Sequence, residues 1–310
     1  THAADSAPWA LFVGMVAPHF PLVVPERYLR RVLEDPLFDG CLPEPAAARH
    51  PWVRRSLAYI DHAAALEGPE RVRLAVAAYF ALVEFMDEQM GAVLDTLEAT
   101  GLSVRTTVIY ASDHGDNLGA RDLWNKGTLY REASGIPLVL AGPGVPAGHR
   151  CRTDASLVDV YPTVLQAMGL PPAAAGLPGR SLRDLAVGAD ESDRVVLGEY
   201  HGVGSPSAAY YLVRGRYKYH HYVDYGPELF DIVADPRERT DLAARPEMAA
   251  TVHAMRTALC ERLYPEEIDR LAKRDQDELV RQAGGREAAL GTGHRGATPV
   301  PQSATEGLHS

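Results

Sequence analysis

The amino-acid sequence predicts an α/β fold, a mixed sheet flanked by helices, followed by a smaller antiparallel C-terminal subdomain. Three observations carry this reading. Apolar residues recur at helical spacing from Glu70 to Thr100. A β-branched run from Arg105 to Ala111 feeds straight into a polar turn. Beyond about Leu185 the alternation of helix and strand gives way to short strands around glycines.

In chain order, Trp9 to Ala17 is a continuous apolar run closed by Pro18, the pattern of a strand buried on both faces of a parallel sheet. Nothing precedes it to supply the usual neighbouring βα unit, so a missing N-terminal segment is expected. Pro-rich Leu42 to Pro51 reads as a surface connection. In the long helix, Val72, Val76, Tyr79, Phe80, Val83, Met86, Met90, Val93, Leu94 and Leu97 form a core stripe, and Gly101 supplies the stop. Ile136 to Ala141 reads as a second buried strand, closed by Gly142-Pro143-Gly144. Asp159 is placed to cap a helix with Pro162 in its first turn and Gly169 past its end. Ala209 to Arg214 and Arg216 to Tyr222 flank Gly215 as a hairpin, with Glu228 to Ile232 as a further strand and the whole region from Val195 antiparallel. Pro246 to Tyr264 and Glu266 to Gln282 are helical in pattern. Gly284 to Ser310, rich in Gly, Pro, Ser and Thr, is expected to be irregular. The expected organisation is therefore an α/β portion over 1–190, an antiparallel subdomain with helices over 191–283, and a tail over 284–310.

With 310 residues, 46% of them hydrophobic, the chain can bury a sizeable core. A formal charge of -10 argues against nucleic-acid and anionic-membrane surfaces and favours a small-molecule partner, and a homo-oligomer is compatible with it. No apolar stretch approaches the roughly 20 residues of a membrane span. Residues 1–8 lack the pattern of a secretory signal, which makes the cytoplasm the default location. Cys41, Cys151 and Cys260 are odd in number and widely spaced, as expected of reduced structural thiols.

The chemistry concentrates where the Arg105 to Ala111 strand ends, since ligands gather beyond the carboxyl ends of strands in open α/β sheets. There Asp113-His114 offers a carboxylate and an imidazole on one tight turn, and Gly115 lets the backbone close around an ion. An Asp-His pair in a turn is by itself more often a solvated loop. The wider context, Ser112-Asp113-His114-Gly115-Asp116-Asn117-Leu118-Gly119-Ala120-Arg121-Asp122-Leu123-Trp124-Asn125-Lys126-Gly127, closely resembles the long second signature of the sulfatases. The resemblance continues through Glu132 to Leu140, Ser156 to Thr163, Arg216 to Tyr219 and Glu228 to Pro236, and covers roughly residues 10 to 245.

This resemblance implies an alkaline-phosphatase-like fold and a metal-dependent sulfuric ester hydrolase. Asp113 and His114 would be metal ligands, and Lys126 would contact the sulfate or phosphonate oxygens. His19, in Ala17-Pro18-His19-Phe20-Pro21, looks like the family's substrate-side histidine and would assist the leaving group. His at position 114 is more typical of the choline-sulfatase and phosphonate monoester hydrolase branches, which leaves calcium or manganese as the divalent cation. Glu199 and His201 are similar to substrate-facing segments of the choline-sulfatase branch, although a salt-bridged structural Glu fits equally. His220 and His221, adjacent on a strand, would face opposite sides and share no metal.

The family nucleophile, a Cys or Ser in a Cys-x-Pro-Ser-Arg motif converted to formylglycine, has no match here. Cys41-Leu42-Pro43-Glu44-Pro45 lacks the arginine, so no nucleophile is assigned. The expected substrate is a small-molecule sulfate or phosphonate ester. The alternatives are a phosphonate monoester or phosphodiester hydrolase on the same scaffold, or an inactive fragment or binding protein.

Overall fold

The computed structural model describes residues 7–44, 49–58, 66, 68–171 and 176–291. Helix α1 (Glu26–Glu34) lies against the long helix, and α2 (Pro51–Leu57) starts with proline at a position where its missing N–H costs nothing. Helix α3 (Pro69–Ala99) is the long helix expected from the apolar repeat. Its buried residues run from Ala75 to Met86, whereas Val93 and Leu94 are exposed, so the core stripe is shorter than the periodicity implied. Tyr28 of α1 is buried there, and its hydroxyl donates to Glu88 Oε2 at 2.7 Å.

Strand β1 (Val108–Ala111) pairs antiparallel with β2 (Leu138–Ala141), Val108 opposite Ala141, with the short α4 (Arg131–Ser134) between them in sequence. Helices α5 (Val160–Ala167) and α6 (Leu182–Val187) follow. Next come β3 (Val195–Tyr200), β4 (Ala209–Arg214), β5 (Tyr217–Tyr222) and β6 (Glu228–Asp231), which form an antiparallel sheet in sequence order. Arg214 pairs with Tyr217, leaving Gly215-Arg216 as a two-residue turn. Its first position is the glycine, at φ +60°, a conformation other residues resist. Helices α7 (Ala249–Cys260), α8 (Pro265–Gln282) and α9 (Arg286–Gly291) complete the described chain.

The four-stranded sheet is covered on both faces. One face carries Tyr210, Leu212, Tyr219 and Leu229 against Met255, Ala258 and Leu259 of α7. The other carries Ala209, Tyr222 and Phe230 against Trp52 and Val53 of α2 and against Leu123, Leu129 and Tyr130. The polar turn after β1 is thus continuous with a segment moulded onto this second face.

Several expectations are corrected. Trp9 to Ala17 forms no strand; Leu11 is 72% and Phe12 93% exposed, and no described segment pairs with it. Apolar periodicity signals a wish for burial without naming the surface that provides it. Strand β2 is not buried on both faces either: its exposure alternates, and Val139 is outward. Asp159 does not cap α5 with its side chain. The carboxylate is fully buried, accepts from Ser156 and Arg180 N–H groups, and meets the Arg194 guanidinium at 2.6 Å. Helix α9 occupies part of the expected irregular tail because Glu287, Ala288, Ala289 and Leu290 favour helix; residues 292–310 lie outside the described residues. Residues 45–48 of the Pro-rich connection lie outside them as well.

Candidate active site

The turn after β1 is fixed by backbone contacts before any side chain acts. The Gly115 N–H donates to Ala133 O at 2.8 Å, and a Cβ at Gly115 would overlap Glu132 O. Only glycine lets the turn approach α4 this closely. From there the chain doubles back: Asn117 N–H donates to Asn125 O at 2.8 Å and Gly119 N–H to Leu123 O at 2.7 Å. His114 sits on the first limb and Lys126 on the second.

These limbs bring Lys126 Nζ to 2.7 Å from His114 Nε2, and to 3.1 Å from Nε2 of His19. Both imidazoles face the ammonium through the same nitrogen for the same reason. His19 Nδ1 lies 2.7 Å from Phe20 O, and His114 Nδ1 lies 2.7 Å from Gly115 O. A carbonyl can only accept, so each Nδ1 carries the proton, and in the neutral ring Nε2 presents its lone pair. Asp113 Oδ1 accepts from His114 N–H at 3.0 Å, while Oδ2 lies 3.5 Å from His114 Nε2.

His19, Asp113, His114 and Lys126 therefore converge, although they come from positions as far apart as 19 and 126. Two adjacent donors at about 2.4 Å from one ion and near a right angle stand about 3.4 Å apart, close to the 3.5 Å between Asp113 Oδ2 and His114 Nε2. A backbone carbonyl on the opposite ring nitrogen is the usual support of a metal-bound histidine. The pair fits a divalent cation as part of its ligand set, and no group of three or more such donors occurs among the described residues. The His114 Nε2 lone pair can bind a metal or accept from Lys126, not both.

Glu199 and His201 do not join this cluster. Glu199 stands opposite Tyr210 on the α7 face of the sheet, and His201 Nε2 lies 3.1 Å from Glu199 Oε2 with its ring against Tyr210. The residue between them, Tyr200, takes the other face, where a Cβ on Gly127 would come to 3.0 Å of its hydroxyl oxygen. The pattern of alternation was readable from the sequence, but which phase faced the site was not.

The sequence reading also missed three supporting residues. Asp116 is tucked between the limbs, its Oδ1 accepting from Leu118 N–H at 2.8 Å, and burial pushes its carboxyl above the usual range. Asn117 is 2% exposed. Arg121 is buried, bonds Glu132 Oε2 at 2.7 Å, donates to the carbonyls of Arg237 and Glu238, and stacks 4.2 Å above the Tyr130 ring. Tyr130 in turn donates to Glu228 Oε1 at 2.9 Å, which ties the loop to β6. None of the three thiols is a hydrogen-bond partner of the cluster; Cys41 and Cys151 contact carbonyls elsewhere, and Cys260 is exposed at the end of α7.

Comparison with known proteins bears on what such a cluster does. The family described as Sulfatase matches residues 2–170, and the one described as N-sulphoglucosamine sulphohydrolase, C-terminal, matches residues 119–264. The chain is 33% identical over 248 residues to a choline-sulfatase of Rhizobium meliloti (strain 1021), covering 77% of this chain and 47% of that protein. It is 33% identical over 178 residues to arylsulfatase K of Rattus norvegicus, covering 54% of this chain and 31% of that protein. Among solved structures, phosphonate monoester hydrolase SpPMH from Silicibacter pomeroyi superposes with a TM-score of 0.66 at 27% identity, over 79% of this chain and 53% of that one. The chain thus spans about half the length, or less, of these relatives.

Proposed function

Because this chain belongs to the sulfatase family, we propose that it forms part of a metal-dependent sulfuric ester hydrolase whose tetrahedral anion binds where His19, Asp113, His114 and Lys126 meet. The observation that carries this reading is the approach of the Lys126 ammonium to two Nε2 atoms whose tautomers are set by carbonyls. Asp113 and His114 would hold the cation, calcium or manganese, which when bound polarises the ester oxygens. Lys126, released from His114, would donate to a sulfuryl oxygen and stabilise charge that grows in the transition state. His19 would assist the departing alcohol through Nε2 while Phe20 O, bonded to Nδ1, keeps the ring oriented. The attacking group is not among these four residues.

The phosphonate or phosphate ester reading rests on the similarity to SpPMH, whose name specifies a phosphonate monoester. The same clamp suits either tetrahedral anion. The test assays the full-length protein against p-nitrophenyl sulfate and a p-nitrophenyl phosphonate monoester, in calcium and in manganese. Sulfate-ester turnover that falls by at least about 100-fold in both Lys126→Ala and His19→Ala is expected. A higher kcat/KM for the phosphonate ester would transfer the assignment to that class. Turnover of neither ester would end it.

A further inference from the structure

Asn117 spends its whole amide on the opposite limb of the site loop. Its N–H and Nδ2 both donate to Asn125 O, at 2.8 and 2.7 Å, and its Oδ1 accepts from Thr128 Oγ1 at 3.1 Å. The residues it grips, Asn125 and Thr128, bracket Lys126. Asn117 itself stands three positions after His114 and is 2% exposed, so water does not compete for these bonds.

The loop needs such a grip. Leu118, Arg121, Asp122 and Asn125 all take positive φ, between 45° and 59°, a region L-residues adopt only when their surroundings impose it. Gly127, on the far side of Lys126, is at φ +102°. Arg121 anchors the tip of the loop to the carbonyls of Arg237 and Glu238. At the level of Lys126 Asn117 crosses between the limbs beside Asp116, whose carboxylate accepts from the Asn125 N–H, and Asn117 alone of the two also holds Thr128.

We infer that Asn117, with Thr128, is a positioning residue that sets the separation of the limbs and so holds the Lys126 ammonium at the meeting point of the His19 and His114 Nε2 atoms. The inference rests on the proposed function for its catalytic consequence, though not for its geometry. Asn117→Asp is the sharpest probe, because it keeps the shape and the acceptor for Thr128 but turns an oxygen toward Asn125 O. Thr128→Val removes the hydroxyl at constant shape, and Thr128→Ser restores it.

The experiment is NMR on the full-length protein, labelled with 15N at lysine side chains and histidine rings and freed of metal with EDTA, with thermal melts of each variant. In the parent, the Nε2 resonances of His19 and His114 should carry the shift of an ammonium donor, a Lys126 signal that disappears in Lys126→Ala. That signal should be lost in Asn117→Asp and in Thr128→Val, and kept in Thr128→Ser, with all four variants still melting cooperatively. A folded Asn117→Asp or Thr128→Val protein with an unchanged Lys126 signal would overturn the inference; if Asn117→Asp fails to fold, the Thr128→Val and Thr128→Ser pair decides. In the kinetic arm, kcat for the ester should fall by up to about 100-fold in Thr128→Val with KM nearly constant, as expected when a catalytic group is displaced by about 1 Å. Absence of turnover in the parent would count against the proposed function and leave the NMR result to judge the clasp.

Discussion

The guanidinium of Arg121 meets the carboxylate of Glu132 at 2.7 Å, inside the seam between the site loop and the C-terminal sheet. Arg121 is 7% exposed and occupies every direction it faces, with Glu132 on one side, two carbonyls on another and the Tyr130 ring beneath. Removing the cation would leave a partly buried carboxylate and two carbonyls without donors. Arg121→Met should therefore destabilise the protein by about 3 kcal/mol, the lower end of what breaking a buried pair costs. Urea unfolding measures it, and a loss within about 0.5 kcal/mol, as for an ordinary surface substitution, would contradict the seam's importance.

Gly115 supplies the second prediction. An added Cβ would strike the Glu132 carbonyl, which belongs to backbone and cannot swing away. Gly115→Ala should cost about 1–3 kcal/mol through overpacking. It should also move His114 from Lys126, so the loss of the ammonium's effect on the His114 Nε2 resonance is expected alongside the fall in stability.

A third prediction concerns the metal. Lys126 and a divalent cation compete for one lone pair on His114. Lys126→Met removes the competitor and a nearby positive charge, so manganese should bind more tightly by about tenfold, the equivalent of roughly 1.4 kcal/mol in a charge-assisted hydrogen bond. Isothermal titration of both proteins at one pH decides it; weaker binding by the variant would show that Lys126 supports the ion instead of excluding it.

The fourth follows from His220, fully buried beside Glu228, whose Oε2 lies 3.1 Å from Nδ1. Burial holds this imidazole well below its ordinary value, so the folded chain keeps it neutral. An unfolded histidine takes a proton near pH 6.5, so below that pH the unfolded state binds more protons and stability falls. The slope for one group is about 1.4 kcal/mol per pH unit, from about 6.5 down to the folded value. His50 and His221, also lowered by burial, act in the same direction. Glu228 acts in the opposite one: burial raises it, so its contribution is present at low pH and lost as the pH rises through its folded value. His220→Gln should lose about 1 kcal/mol less than the parent between pH 6.5 and 5.5, since the unfolded histidine is half protonated at the upper limit. Parallel urea midpoints in the two proteins would show that His220 titrates when folded.

How much of this was legible beforehand depended on the kind of signal. Helix α3 and the turn at Gly215 rest on local periodicity and on the conformational freedom of glycine, and both appear where expected. Asp113, His114 and Lys126 were marked by a contiguous signature, and His19 by its position before Phe20-Pro21; the structure brings them together. Glu199 and His201 were marked by likeness alone, and strand alternation turned them to the α7 face. Asn117 and Arg121 carried no local signal, since their partners lie on the opposite limb or more than 100 positions away.

The double-faced sheet has a consequence for engineering by transplantation. The loop over residues 113–134 does not carry its own shape: its buried arginine, its ring at Tyr130 and the amide of Arg131 are answered by Glu228 and by groups around Glu238, which is itself anchored by Lys218 at 2.8 Å. Moved alone onto a foreign scaffold, it would bring donors with no acceptors to greet them. The portable cassette is the loop together with strands β5 and β6 and the turn that follows. Chimeras between relatives should cross over outside residues 113–238.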